Sequence, residues 1–440
     1  MVQIDSSPGT IRQGDVAQLV GTVTDAAGAQ SPISISWRVS PSTNGFVDDD
    51  GRFVGYLAGA VRVIAEAGGD ADSVTIDVTG RGLSGSFSPA GRGLVPERLT
   101  SDLWLFGDFG YTGSWGQHPL TGASGNALYA WDLRDPLNPI RTDSVIVSAL
   151  TVNDVKIRSD GSIAVLSHES DPSGQNGVTL LDLADPLHPT FLARVTATLG
   201  NGVHNLWIEG DYIYAVVDGT GLADGLRILD ISDLSNIRVA ASFYAGSSFL
   251  HDVYVRDGLA FLSHWNAGLV ILDVGNGIVG GSPDNPVEVS RIEPETRSGV
   301  GSAQVHNAWY WPEEGYVFIG EEDFSTPGIG YVLDVTDLRA PRQVATFAVE
   351  GSPPHNFWLD EEASVLYVGW YTQGLRALDV SGTLLGALEE QGREIASIRY
   401  DGPGSCGAAN GTCSWAPQLH GDHLFVADLN SGLWVFSRDF

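Results

Sequence analysis

Four histidines stand at the head of one recurring pattern. "HNLWIEGDYIYAVVD" begins at His204, "HDVYVRDGLAFLSH" at His251, "HNAWYWPEEGYVFIGEE" at His306 and "HNFWLDEEASVLYVGW" at His355. Asn153 takes the same place in "NDVKIRSDGSIAVLSH". A second set of residues ends the apolar run that follows: Asp108, His168, His264, Glu321, Trp370 and Asp428. Six of the 10 histidines thus fall on equivalent positions, far more than scatter would place there. Imidazoles and carboxylates converging on one point form the ligand set of a divalent transition metal. Zinc suits the mixture best; copper, iron or calcium are the other cations such groups hold. A carboxylate such as Glu321, Asp108 or Asp428 would then act as general base on bound water. Trp115, Trp265, Trp370 and Trp415 lie beside these positions, with the flat faces needed to stack on a small-molecule or glycan ligand.

Seven units of about fifty residues carry these positions, the period at which repeats form propeller blades. Alternating apolar runs supply four strands per blade, laid outward from the axis. The first strand descends from the top face and the second climbs back to it. His251 and His264 are therefore expected to meet at the top of one blade. Asp132, Asp182, Asp230, Asp273, Asp334 and Asp379 close the "LD" runs and read as turn residues. The last unit stops after three strands at "GLWVF". Residues 82–87 resemble a fourth strand and are expected to pair with 432–436, so that 81–94 closes the last blade and removes an exposed edge. The domain reading is a sandwich over 1–80 and a seven-bladed propeller over 81–440. Overall this is an all-β chain.

The "GLVILDV" core is similar to the LVIVD-repeat β-propeller family, which implies the propeller fold but no particular activity. Residues 1–80, with "VDDDGRFVGYLAG" and Trp37 in a middle strand, resemble the group 2 bacterial immunoglobulin-like domain, a spacer or adhesin module. The run Asp48, Asp49 and Asp50 there reads as an acidic hairpin turn or a calcium ligand set. The stretch from His306 through Trp309 to Glu321 is similar to a blade of the selenium-binding/methanethiol oxidase propellers. That resemblance implies copper in a histidine-lined mouth, although the family's cysteine has no counterpart and its Trp is here Glu322. Four axial histidines also resemble the iron site of the carotenoid oxygenases.

A formal charge of −31 argues against nucleic acid or an anionic membrane as partner. No apolar run reaches the ~20 residues of a membrane span. Cys406 and Cys413, the two cysteines, frame a Gly/Asn-rich loop and read as a disulfide clip. They point to an oxidising compartment, hence a secreted, periplasmic or cell-surface protein. No signal peptide is visible, and Met1 reads as a start placed on a mature chain. Nucleophile elbows, phosphate loops and HExxH helices are missing from the sequence.

Two readings of the histidines stand at this level. One is a metal-dependent hydrolase, or with copper or iron an oxidase or oxygenase. The other is a structural histidine copied with the repeat and hydrogen-bonded beside Asn205, Asp252, Asn307 or Asn356, in a non-catalytic adhesion or glycan- and protein-binding module.

Overall fold

The computed structural model describes residues 1–171, 173–218, 225–246, 249–296, 303–324, 328–408 and 410–440. The chain forms two compact units. One comprises Met1–Ser84, Val344–Ala348 and Leu378–Ile395; the other comprises Gly85–Gln343, Val349–Ala377 and Ala396–Phe440.

In the first unit, Thr10–Arg12, Asp70–Thr79, Gly59–Ala67 and Ser36–Ser40 form one sheet. Val16–Gln18, Arg52–Gly55 and Gly45–Val47 form a second, and Val2–Ser6 pairs with Val20–Val23. Alternation along Asp70–Thr79 turns Ile76 and Val78 inward, where they join Leu19, Val39, Phe53, Val61 and Val63 in a dry core. Trp37 packs against that core. Asp48 is engaged by the turn itself: it accepts from the backbone N–H of Asp50 and Arg52, at 3.1 and 2.8 Å, and pairs with the Arg52 guanidinium at 2.7 Å. Arg81, 1% exposed, is held by Asp379 and by Asp15.

The second unit is a seven-bladed β-propeller. Its third and fourth blades show the build. Val203–Glu209, Tyr212–Val217, Gly225–Asp230 and Arg238–Phe243 are hydrogen-bonded in that order, followed by Leu250–Arg256, Leu259–His264, Gly268–Asp273 and Val287–Ile292. Each third strand is buried on both faces because blades stack against one another. Leu226 and Ile228 of one blade pack with Val253, Leu262, Val270 and Leu272 of the next. All six turn aspartates accept the backbone N–H two residues on, at 2.9–3.1 Å, as Asx-turns do.

The last blade is completed by Phe87–Leu94, which runs antiparallel to Gly432–Arg438. The closing strand is thus displaced from the expected 82–87. "FSPAGRGL" looks poor as a strand because Pro89 donates no hydrogen bond, yet an outer strand tolerates proline, here beside a bulge between Pro89 and Gly91. Removing residues 1–94 should therefore leave Gly432–Arg438 an open edge. A truncated protein with the solubility and melting temperature of the full chain would contradict this closure.

Candidate metal centre at the mouth of the propeller

The innermost strands place three layers of side chains around the axis. The upper layer is Ser101, Asn153, His204, His251, His306, His355 and Trp415, one from each blade. One residue further on come Asp102, Asp154, Asn205, Asp252, Asn307 and Asn356. Three residues after the upper layer come Trp104, Lys156, Trp207, Tyr254, Trp309, Trp358 and Gln418.

A local irregularity turns the histidines inward. Pairing between the first and second strands shifts between Leu250 and Asp252, between Val305 and Asn307, and between Val203 and Leu206. His251 and His306 are the extra residues of β-bulges, and His204 lies within the third. Bulges re-aim a side chain in this way beside functional sites.

The four imidazoles form a contiguous arc, with ring centroids 4.4 Å apart for His204–His251 and 4.3 Å for both His251–His306 and His306–His355. His251 donates Nδ1–H to the His306 carbonyl at 3.0 Å, and His355 donates Nδ1–H to the Trp415 carbonyl at 3.0 Å. Such bonds fix the tautomer and leave Nε2 with its lone pair. His204 Nε2 lies 3.0 Å from His251 Nε2, and its Nδ1 lies 2.8 Å from Glu169 Oε1. Glu322 stands 3.9 Å from His306 Nε2 and accepts a short hydrogen bond from the Tyr371 hydroxyl. His251, His306 and Glu322 each bring one potential ligand atom within 4.8 Å of the others; so do Glu169, His204 and Asp218.

Burial, reinforced by neighbouring imidazoles, holds His251, His306 and His355 well below the ordinary histidine range, so all three are neutral. Burial works the same way on His204, but the charge and hydrogen bond of Glu169 outweigh it and raise its pKa to about 9. Burial lifts Glu322 to about 7, against the hydrogen bond from Tyr371 and the charge of His204.

Above the histidines lies a cavity of about 450 Å³. Trp115, Phe249, Trp265, Phe324, Tyr371 and Trp415 form its collar, and Cys406 and Gly407 contribute to its wall. The Cys406–Cys413 disulfide is formed. Its loop is also tied down by Asn430, which donates to the carbonyls of Ser405, Asn410 and Gly411. An eight-residue ring contributes ~2–3 kcal/mol by loop entropy. Reduction should therefore loosen this wall, raising hydrogen exchange around Gly407, without unfolding the propeller. Global unfolding on reduction would show that the clip carries far more than a loop.

The structure brings together part of the expected site. His204, His251, His306, His355, Trp115, Trp265 and Trp415 line the cavity. The expected meeting of His251 with His264 does not occur. His264 pairs with Leu250 in the strand register, so the bulged His251 has the other orientation, and Trp265 reaches the cavity instead. The same one-residue slip recurs in other blades, where it exchanges one face of the sheet for the other. Glu321 is buried and accepts from the Tyr331 hydroxyl at 2.6 Å, while Glu322 lines the cavity. Trp370 is buried and donates Nε1–H to the Ser352 carbonyl, while Tyr371 lines the cavity. His168 is buried against Thr179 at 2.8 Å, and Glu169 after it meets His204. Asp428 holds the base of the disulfide loop, accepting from Cys413 N–H at 2.7 Å and from the Tyr400 hydroxyl at 2.9 Å. Asp108 is exposed in the hairpin after Leu99–Phe106, at the far end of the strand. Asp108, Glu321 and Asp428 are therefore not available as a general base here. The signal that finds Glu169 and Glu322 is the residue after each second-strand terminus.

The middle layer answers the structural alternative for the asparagines. Asn153 Nδ2 donates to the His204 carbonyl at 3.0 Å and Asn205 Nδ2 to the His251 carbonyl at 3.2 Å. These bonds join the second blade to the third and the third to the fourth. Below them, Lys156 reaches Asp102 at 2.8 Å and also contacts Asp154. Trp104, Trp207, Tyr254, Trp309 and Trp358 form a closed ring of aromatics with neighbouring centroids 4.7–6.2 Å apart. Lys156 Nζ lies 5.0 Å from the Trp104 ring.

The LVIVD repeat profile matches residues 201–244 and 250–292, the blades headed by His204 and His251. The chain is an all-β propeller protein carrying two LVIVD repeats. No curated protein sequence matches it. Among solved structures, that of the computationally designed Ika8 protein is similar at 11% identity, covering 81% of this chain and 100% of its own, with a TM-score of 0.49.

Proposed function

We propose that the mouth of the propeller holds a divalent transition metal, zinc foremost, on His204, His251, His306 and His355, and that the protein is a metal-dependent hydrolase. The observation that carries this reading is the run of four adjacent imidazoles, three of them with Nδ1 already engaged. His251 and His355 give Nδ1–H to backbone carbonyls, the second sphere that metal-bound histidines use. The 3.0 Å between His204 and His251 Nε2 suits two ligands at ~2.0–2.1 Å from one ion. A metal there takes the place of the proton these nitrogens otherwise share.

Glu322 is the general base in this reading, replacing Glu321, Asp108 and Asp428. It lies beside His306 and is oriented by Tyr371. A bound ion activates water and polarises a carbonyl, and Glu322 accepts and returns the proton. The disulfide supports an oxidising, extracellular or periplasmic setting. The N-terminal sandwich serves as a spacer of the bacterial immunoglobulin type.

Elemental analysis of untagged, natively purified protein tests the reading, together with Glu322→Gln. One equivalent of zinc, with Glu322→Gln retaining the metal and losing esterase turnover at least ~100-fold, is the expected result. Stoichiometric copper or iron would move the reaction to oxidation. No metal, or calcium alone, would leave a non-catalytic glycan- or protein-binding module.

A further inference from the structure

We infer that the substrate is an uncharged aromatic ester or amide, its ring held in the collar and its carbonyl turned toward the histidines. The inference rests on the hydrolase reading above for the reaction, and on the cavity alone for the class of ligand.

Three observations carry it. First, aromatic rings stand directly against the imidazoles. Trp265 lies 5.0 Å from His251 at an interplanar angle of 33°, Trp415 4.0 Å from His355, Phe249 5.7 Å from His251 and Trp115 6.0 Å from His204. Phe324, 66% exposed, continues the collar to the rim through Tyr371 at 5.1 Å. A planar ring entering here finds offset and edge contacts on several sides, the arrangements aromatic pairs prefer. Second, the described lining contains no lysine or arginine, while Glu322 and Asp102 belong to it. Among the described residues of the lining, a carboxylate or phosphate ester meets no guanidinium or ammonium, His204 is already paired with Glu169, and Glu322 faces the ligand. Third, the amides of Asn153, Asn205 and Asn356 lie at the floor, whereas the collar is aromatic. A sugar needs polar partners along its whole edge; a ring with one polar end needs them at one end only. A cavity of about 450 Å³ is of drug-sized dimensions.

Chemically, the oxygen of water bonds to the acyl carbon, the bond from that carbon to the leaving oxygen or nitrogen breaks, and the proton removed by Glu322 passes to the leaving atom. Nothing is oxidised or reduced.

The test uses 2-naphthamide, 2-naphthoate and cyclohexanecarboxamide as probes. Binding is followed by tryptophan fluorescence on the full chain, with and without chelator, beside elemental analysis. The expected result is 2-naphthamide at least tenfold tighter than either of the others, in both conditions. Trp265→Leu should weaken 2-naphthamide at least fivefold while metal content and melting temperature hold. Equal or tighter binding of 2-naphthoate, no preference for the aromatic amide, or an unchanged affinity in Trp265→Leu each overturns the inference. Aromatic preference in a protein without metal would uphold the ligand class and remove the hydrolase reading. Metal without aromatic preference would do the reverse.

Discussion

Lys156→Met should lower stability by ~3–5 kcal/mol, the cost of leaving a buried charge without its partner. The side chain is the only lysine in the protein and is buried on the axis. Its ammonium lies between Asp102, at 2.8 Å, and Asp154. Both acids are otherwise engaged in joining blades: Asp154 accepts from Leu206 N–H at 2.9 Å and Asp102 from Asn356 Nδ2 at 3.2 Å. Methionine fills similar space but leaves two carboxylates facing each other without a cation. A loss of this size should appear as a fall of about 5–10 °C in melting temperature for a domain this large. Adding Asp154→Asn removes one of the stranded charges and should restore most of the loss.

The pH dependence follows from the sign of the shifts. Burial works against the Lys156 charge, but the two carboxylates outweigh it and raise its pKa above 10.5. Its contribution is therefore fully present below pH ~10.5 and fades only as pH rises beyond that. In the variant the stranded acids have folded pKa values raised above their unfolded values, so the penalty grows as pH rises and shrinks toward pH ~4. A variant that melts like the wild type at pH 7 would show that the bridge is not what closes the axis.

The blades were legible in the sequence because two of their signals are local. The Asx-turn aspartates mark the end of the third strand in six of the seven blades, and uninterrupted apolar runs such as "GLVILD" report burial on both faces. The four inward histidines were legible as well, by recurrence. The parity of the second ring was not. A bulge adds one residue to the first strand opposite His264 and Glu321, and no period in the sequence reports where it falls. His168, His264, Glu321 and Trp370, chosen by counting from an unbulged strand, therefore landed on the wrong face, with Glu169, Trp265, Glu322 and Tyr371 one step beyond. The axial role of Lys156 was hidden for a different reason. A lone cation among acids carries no sequence period, and only closure of the ring brings Asp102 beside it.

Single replacements of His251 and His306 should each remove most of the bound metal, and the double replacement should cost little more than either. If the two imidazoles share an ion, the protection each supports is the same mass-action term, ~2.7 kcal/mol at a metal concentration 100 times Kd and ~4.1 at 1,000 times. It is lost once, so the losses do not add. If each histidine acted only through its neighbours, the cost would be local. His251→Ala would lose two bonds, from Nδ1 to the His306 carbonyl and between Nε2 and His204 Nε2, each worth ~0.5–1.5 kcal/mol. His306→Ala leaves that carbonyl in place, because the bond uses the backbone. The two rings stand 4.3 Å apart, so local losses would also couple, by ~0.5–3 kcal/mol, and non-additivity alone does not decide. Chelator separates the two schemes. Under a shared ion it lowers the wild-type melting temperature to near that of the single variants and scarcely moves the variants themselves. Melting curves of wild type, both singles and the double, with and without chelator, decide between them. Losses with no response to chelator would remove the metal from the mouth of the propeller and leave the arc of imidazoles as blade-to-blade packing.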